Sequence, residues 1–360
     1  MASSVVEAFV SSLGEDPALS LEIHPRDEMF RWNVAGVRGS EDAGAILYFE
    51  KGRQIADAFE AALRWRFGAA GPHTLLDFAS GFGRATRFLV RRLRGCQIAV
   101  AEIDPEAVDF QERTFGVRGF VSAPTAEAFA PSATFDAITA ASFFSHLPGR
   151  AFEEWLARLY GLLEPGGALV FSTHGPSLRT ERADWTQGIV FESKSETSRL
   201  DGNLYGTSWV TPAFVVAAAA RASGGEGRLA AAPLGLCGHQ DLYVLAKPPS
   251  IPPSTLPLRV PEVPRGELDS SALPGGRVLA VAGWAEASTA PSVKLLVGSE
   301  VRERSPARES GGRRGWNFEM PIDGIDPDEV IRVVAVSAAG VSRTVAIGTL
   351  RPYLATKNGK

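Results

Sequence analysis

Residues 74–90 read T-L-L-D-F-A-S-G-F-G-R-A-T-R-F-L-V, and this run decides the fold. Leu75, Leu76 and Phe78 form a short apolar strand. Ala79, Ser80, Gly81 and Gly83 form a turn of small residues. Ala85, Phe88 and Leu89 then recur at the three- and four-residue spacing of a helix face. Glycines let a ligand approach the backbone, and the first turn of a helix has N–H groups without partners. At the mouth of a parallel sheet such a junction is a cradle for a nucleotide-type ligand. Asp77 sits inside the strand, where an uncompensated charge is costly. It is expected to accept backbone N–H groups of the turn, or to meet a ligand cation through water.

Outward from this run, strands and helices alternate. Strands are expected at 73–79, 96–103, 117–122, 135–141 and 168–173, with helices ending at Arg94, starting at Pro105 and spanning 149–163. Alternation of this kind implies right-handed crossovers and a parallel sheet covered on both faces. A polar stretch at 175–204 reads as a lid or substrate wall. A helix at 209–222 and strands at 228–236 and 241–246 complete the sheet. Upstream, residues 1–70 read as a helical lead-in. It has a short helix at 5–13 and a longer one at 46–67, broken or capped near Gly52. Residues 71–247 therefore form the α/β domain.

Seven prolines between Pro248 and Pro264 mark residues 248–274 as an extended linker without helix or central strand. From 275 to 350 the pattern changes to short alternating or β-branched runs such as R-V-L-A-V-A-G-W-A and V-I-R-V-V-A-V. These predict a small all-β sandwich. Residues 351–360 read as a tail.

Composition sets outer bounds. The chain has 360 residues, 45% hydrophobic and 22% charged, with a net charge of −4. This fits a globular protein of two or three domains, and no general basic surface advertises nucleic-acid binding. Cys96 and Cys237 are too few for a disulfide framework or a zinc site. The N-terminus lacks a secretory pattern and no run is long and apolar enough to span a bilayer, so a cytoplasmic location is expected.

Two families use a glycine turn of this kind. The dinucleotide fingerprint G-x-G-x-x-G fails, because starting at Gly81 puts Thr86 at the third glycine. The run instead resembles the first motif of class I S-adenosylmethionine (SAM) methyltransferases, D-x-G-x-G-x-G. Asp77, Gly81 and Gly83 match, and Ala79 stands where the family has glycine. The runs F-D-A-I at 135–138, S-H-L at 145–147 and L-L-E-P-G-G-A-L-V-F-S-T-H at 162–174 extend the resemblance over about 73–175. It implies a Rossmann-like, seven-stranded, mostly parallel sheet, finished by a strand pair.

The resemblance also implies a cofactor, S-adenosylmethionine, held by Asp77, Ala79, Ser80, Gly81, Gly83, Glu102, Ile103, Ser122 and Ser142. Glu102 is the expected ribose ligand and Asp104 the cap of the following helix. The third strand ends at Ser122 without the Asp or Asn that contacts adenine in relatives. Tyr48-Phe49-x-x-Gly52 resembles the family's lead-in segment, which places Tyr48 over the cofactor. Methyl transfer needs in-line orientation above all, and a hydroxyl acceptor must also lose a proton, a task suited to His. His146 and His174, after the fourth and fifth strands, are the candidates, with His239 behind them. No acidic cluster follows strand four, so no catalytic metal is expected. The segments Gly283-Trp284-Ala285 and Gly315-Trp316-x-Phe318 resemble immunoglobulin-like domains appended to bacterial surface-glycan enzymes. The expected function is methylation of a small molecule or glycan, O-methylation favoured. A protein that binds SAM without turnover is the alternative, and an NAD-dependent oxidoreductase the more distant one.

Overall fold

The computed structural model describes residues 2–179, 183–193, 202–249, 258–289, 291–306, 308–310 and 313–350. The chain divides into two compact units. One comprises Met1–Pro17, Leu21–Lys51 and Pro261–Lys360, the other Ala18–Ser20 and Gly52–Val260.

Three helices open the chain: α1 (Ser4–Ser12), α2 (Glu28–Gly36) and α3 (Glu41–Phe67). Asp27 caps α2 by accepting from the amides of Met29 and Phe30. The expected break at Gly52 does not occur. The helix runs on through it, and the glycine is required because a Cβ there would strike the Arg84 carbonyl oxygen. Gly52 marks a close approach of two backbones, and its helix-weakening tendency is overridden by packing. It is also where α3 passes from one unit to the other.

The second unit is built on a seven-stranded sheet. Its strands are β1 (Thr74–Phe78), β2 (Gln97–Glu102), β3 (Arg118–Val121), β4 (Phe135–Ala140), β5 (Leu163–Thr173), β8 (Arg228–Leu236) and β9 (Gln240–Ala246). The spatial order is β3-β2-β1-β4-β5-β9-β8. β1 to β5 pair in parallel, and β9 runs antiparallel to both β5 and β8. The chain leaves β1 toward one edge and returns to β4 on the other side, so the strand order reverses between β1 and β4. In open α/β sheets, ligands bind outside the carboxyl ends of the strands at such a switch point.

The crossover helices are α4 (Thr86–Arg92), α5 (Pro105–Phe115), α6 (Gly149–Gly161) and α7 (Pro212–Ala222). α6 has the sharpest amphipathic pattern and buries Phe152, Trp155, Leu156 and Leu159. Phe78, Phe143 and Trp155 meet with ring centroids 4.9–5.3 Å apart, which makes a stiff floor beneath the ends of β1 and β4. The polar stretch after β5 carries a two-stranded ribbon, β6 (Ile189–Glu192) paired with β7 (Thr207–Val210). Trp209, expected at the start of a helix, lies on β7, and the helix begins behind its Thr211 cap at Pro212.

In the first unit the C-terminal strands form two antiparallel four-stranded sheets. β10 (Arg265–Ala272), β11 (Val278–Glu286), β15 (Arg313–Pro321) and β14 (Arg308–Ser310) make one, in that order. β13 (Glu300–Pro306), β12 (Ser292–Val297), β16 (Ile331–Val336) and β17 (Ser342–Gly348) make the other. Burial alternates residue by residue along β11, and Leu279, Val281, Leu295, Trp316, Phe318 and Val333 fill the space between the sheets. β10 corrects the expected linker boundary: it begins right after Pro264, where amides become available to a ladder.

The first unit joins helices from one end of the sequence to strands from the other. Glu50 of α3 is buried and accepts from the Thr344 amide at 2.9 and 3.0 Å and from its hydroxyl at 3.0 Å. Burial raises the Glu50 pKa, against the pull of the Thr344 bonds and the Arg332 charge. Arg332 in turn stacks over Phe9 of α1 at 4.7 Å. The expected division into a separate lead-in and a separate sandwich is thus redrawn, since residues near 50 and near 340 share one polar cluster.

Candidate active site

The turn after β1 begins with Ala79 at φ 54°, a left-handed conformation that costs a residue with a Cβ about 1–2 kcal/mol. Its amide is held by the Ala101 carbonyl at 2.8 Å, which extends the β1–β2 ladder past the strand end. Ser142, just past β4, is also left-handed at φ 56°. The Ser142 amide donates to Ser172 Oγ at 2.9 Å. Both strained residues follow the carboxyl ends of the two central strands, and such strain concentrates at functional sites.

Gly81 and Gly83 serve different purposes. At Gly83 (φ 77°) a Cβ would run into the Phe115 ring and lie 2.9 Å from Gln111 Oε1, so glycine is demanded by packing. At Gly81 (φ 58°) a Cβ would meet nothing within 4 Å. That face of the turn is open, with room for a group to approach the backbone. Arg87 braces the turn from below: it is 1% exposed, donates to the carbonyls of Gly83 and Ser20, and lies over the Phe115 ring.

Glu102 closes the other side. Its Oε2 accepts the Gly81 amide at 2.8 Å and its Oε1 accepts the Ile103 amide at 2.7 Å. Burial raises its pKa. The amides of Gly81, Ile103 and Asp104 oppose that rise, and the Asp104 charge adds to it. A carboxylate has about four acceptor positions, so capacity remains for a ligand hydroxyl. Asp104 caps α5 through the Glu106 amide at 3.1 Å. The Ile103 N–H is used within the turn, and the Ser122 N–H is bound to the Glu102 carbonyl at 2.8 Å.

Asp77 does not bind the turn amides as expected. Its oxygens meet two hydroxyls, Thr86 Oγ1 at 2.7 Å and Thr139 Oγ1 at 3.0 Å. The β1–β4 register pairs Asp77 with Thr139 directly. Burial pushes the Asp77 pKa up to about 6, against the two hydroxyl bonds and with a further push from Glu102. Gln111, fully buried, donates to Ser80 Oγ at 2.9 Å and to the Gly81 carbonyl at 2.8 Å. Tyr48 belongs to the first unit, is fully buried and gives its hydroxyl to Asp27 at 2.6 Å.

The ends of β4, β5 and β9 form a second cluster. His146 is buried, with Nδ1 2.7 Å from the Gly206 carbonyl and its ring stacked on Tyr205 at 4.7 Å. A carbonyl only accepts, so the neutral ring carries its hydrogen on Nδ1 and its lone pair on Nε2. The His174 ring centroid lies 6.3 Å from that of His146, 6.2 Å from Trp209 and 5.8 Å from the exposed His239. Gln240, which sequence reasoning missed, is 7% exposed and touches Ser142, Ser172 and His174. Among the described residues, no group of three or more His, Cys, Asp or Glu could hold a metal ion, and no helix is long and apolar enough to cross a membrane.

Comparison with known proteins adds a family. Residues 76–169 match the model of a methyltransferase domain. Solved structures with a similar fold include SAM-bound CalS10, an amino pentose methyltransferase from Micromonospora echinaspora. It is 20% identical, with 54% of this chain and 93% of that one covered and a TM-score of 0.41. DesVI of Streptomyces venezuelae is 17% identical over 63% of this chain and 99% of its own, with a TM-score of 0.42. Human N-acetylserotonin methyltransferase in complex with SAM is 14% identical over 68% and 65%, with a TM-score of 0.39. No curated protein matches the sequence. The family match over residues 76–169, on a sheet ordered β3-β2-β1-β4-β5-β9-β8, means that the chain carries a methyltransferase domain of the Rossmann-like class I fold.

Proposed function

We propose that the chain methylates a hydroxyl of a small-molecule or glycan acceptor, with His146 taking the acceptor's proton. The observation that carries this reading is the His146 Nδ1 bond to the Gly206 carbonyl, which sets the ring to offer a basic Nε2. The cofactor would lie against the open face of Gly81, with its ribose on Glu102. When bound, it would supply an electrophilic methyl carbon carried on a good sulfur leaving group. The chain's own residues orient and deprotonate. His146 Nε2 accepts the hydroxyl hydrogen, and the Tyr205 stack fixes the ring plane. Tyr205 and Trp209 offer aromatic faces suited to a flat or sugar ring. Orientation of this kind supplies much of the acceleration in a transfer from so reactive a donor.

The test has two stages. Calorimetry should detect SAM binding that weakens at least tenfold in Glu102→Ala. Incubation with methyl-labelled SAM and host cell extract should then label a small molecule or glycan by mass spectrometry. SAM binding without any labelled product would favour a binding protein, and label on nitrogen or carbon alone would refute the O-methylation assignment.

A further inference from the structure

Gln240 opens β9 and faces β5. The pairing of Thr173 with Asp241 brings it opposite His174. Its amide touches three groups. Oε1 is 2.6 Å from Ser172 Oγ, and Nε2 is 2.9 Å from Ser142 Oγ and 3.1 Å from His174 Nε2. The way the amide faces follows from Ser172. That hydroxyl is fully buried and already accepts the Ser142 amide, so its own hydrogen goes to Gln240 Oε1. The two Nε2 hydrogens are thereby turned toward Ser142 Oγ and His174 Nε2. A ring nitrogen that accepts a hydrogen bond cannot carry the hydrogen, so the neutral His174 ring has it on Nδ1.

We propose that Gln240 is a positioning residue that locks His174 as the neutral Nδ1–H tautomer, with its Nε2 lone pair engaged by the amide, so that only His146 takes the acceptor's proton. The second half of this proposal rests on the methyl-transfer reading given above. Amide and hydroxyl groups do the locking without a charge, so the assignment holds at any pH where the ring is neutral. The surroundings keep it neutral. Burial comes first, then His146 on the β4 side and His239 before β9, and together they hold the His174 pKa at about 4. The Ser208 backbone on β7 pulls the other way. Beyond Trp209, the Arg179 guanidinium lies over the indole at 4.7 Å and is paired with Glu192 at 2.7 Å, so its positive charge is offset on the lid side. Gln240 also links Ser142, on the cofactor side of the strained turn after β4, to the acceptor-side histidine. The same residue therefore spans both halves of the site.

The assignment is testable without turnover. Histidine-selective 15N labelling of the full chain and long-range 1H–15N correlation spectra report the tautomer of each ring directly. In the wild type, His174 should show the Nδ1–H pattern down to about pH 5. Gln240→Glu replaces the donor by a carboxylate. His174 should then move its hydrogen to Nε2 and titrate about one pH unit or more higher. Turnover should fall at least tenfold while the apparent affinity for SAM changes less than twofold. Ser172→Ala, which removes only the hydroxyl that orients the amide, should give a mixture of His174 tautomers. An Nε2–H pattern in the wild type would overturn the proposal, as would an unchanged His174 tautomer and midpoint in Gln240→Glu. The predicted tautomers with no methylated product would instead overturn the functional reading and leave the locking role standing.

Discussion

Asp77→Asn is expected to stabilise the fold at neutral pH, because the buried network around Asp77 lacks one hydrogen. Thr86 Oγ1 lies 2.7 Å from Asp77 Oδ2 and 3.0 Å from Gln111 Oε1. The Gln111 amide cannot be turned over, since its nitrogen is held by the Gly81 carbonyl. One hydroxyl hydrogen thus faces two acceptors. A proton on Asp77 resolves the conflict by donating to Thr86, which then donates to Gln111. This agrees with burial lifting the Asp77 pKa from 3.8 to about 6. A rise of about two pH units corresponds to about 3 kcal/mol, at 1.36 kcal/mol per unit. For an acid whose folded pKa is the higher, the folded state binds the extra proton. Stability therefore falls as pH rises from about 4 to about 6, and the cost persists above that. An asparagine supplies the missing hydrogen through Nδ2 and still accepts from Thr139 through Oδ1. The stability difference between Asp77→Asn and wild type should therefore move by about 2.5 kcal/mol in the variant's favour between pH 4 and pH 7.5. Urea unfolding at the two pH values, with hydrogen exchange at the β1 amides, measures it. Comparing variant with wild type cancels the distant buried acid Glu50. A pH-independent gap, or one moving the other way, would refute the hydrogen count. The substitution also removes the charge that a cofactor ammonium would meet, so SAM affinity should drop as the fold strengthens.

Four further outcomes are expected. Gly81→Ala should cost only about 1 kcal/mol of stability, the price of a left-handed alanine in open space, yet weaken SAM binding at least tenfold by calorimetry. Gly83→Ala should instead destabilise by about 2–4 kcal/mol in denaturant unfolding, since its Cβ meets Phe115 and Gln111 as well as the same backbone penalty. Glu50→Ala should strip Thr344 of its buried partner and cost the first unit about 1–3 kcal/mol, seen as faster hydrogen exchange in β16 and β17, with SAM binding unchanged. His146→Ala should lower turnover about 100-fold or more with little change in SAM affinity, and an undiminished rate would remove it as the base.

The features legible in the sequence were those whose cause is local. The strand, turn and helix of residues 74–90 announce themselves because glycine, small residues and helical periodicity act over neighbouring positions. The same holds for Asp104, which caps a helix starting one residue later. What the sequence concealed has its cause in chain neighbours far away. Gly52 read as a helix break because propensity is local, whereas the Arg84 carbonyl that demands it lies 32 positions on. The strand β10 was hidden by the prolines before it, although it starts where they stop.

The site divides the same way. The positions of Gly81 and Glu102 follow from a motif, while Thr139, Gln111 and Gln240 matter only through strand register and crossover packing. Asp77 makes the point sharply. Alone in its strand it looked like a ligand waiting for backbone amides. Register sets Thr139 beside it and α4 delivers Thr86, and together they turn a charged ligand into a buried acid short of a proton. The motif therefore fixes where the proposed cofactor cradle lies. The polar residues outside it decide the protonation state of the groups lining that cradle, and with it the chemistry available there.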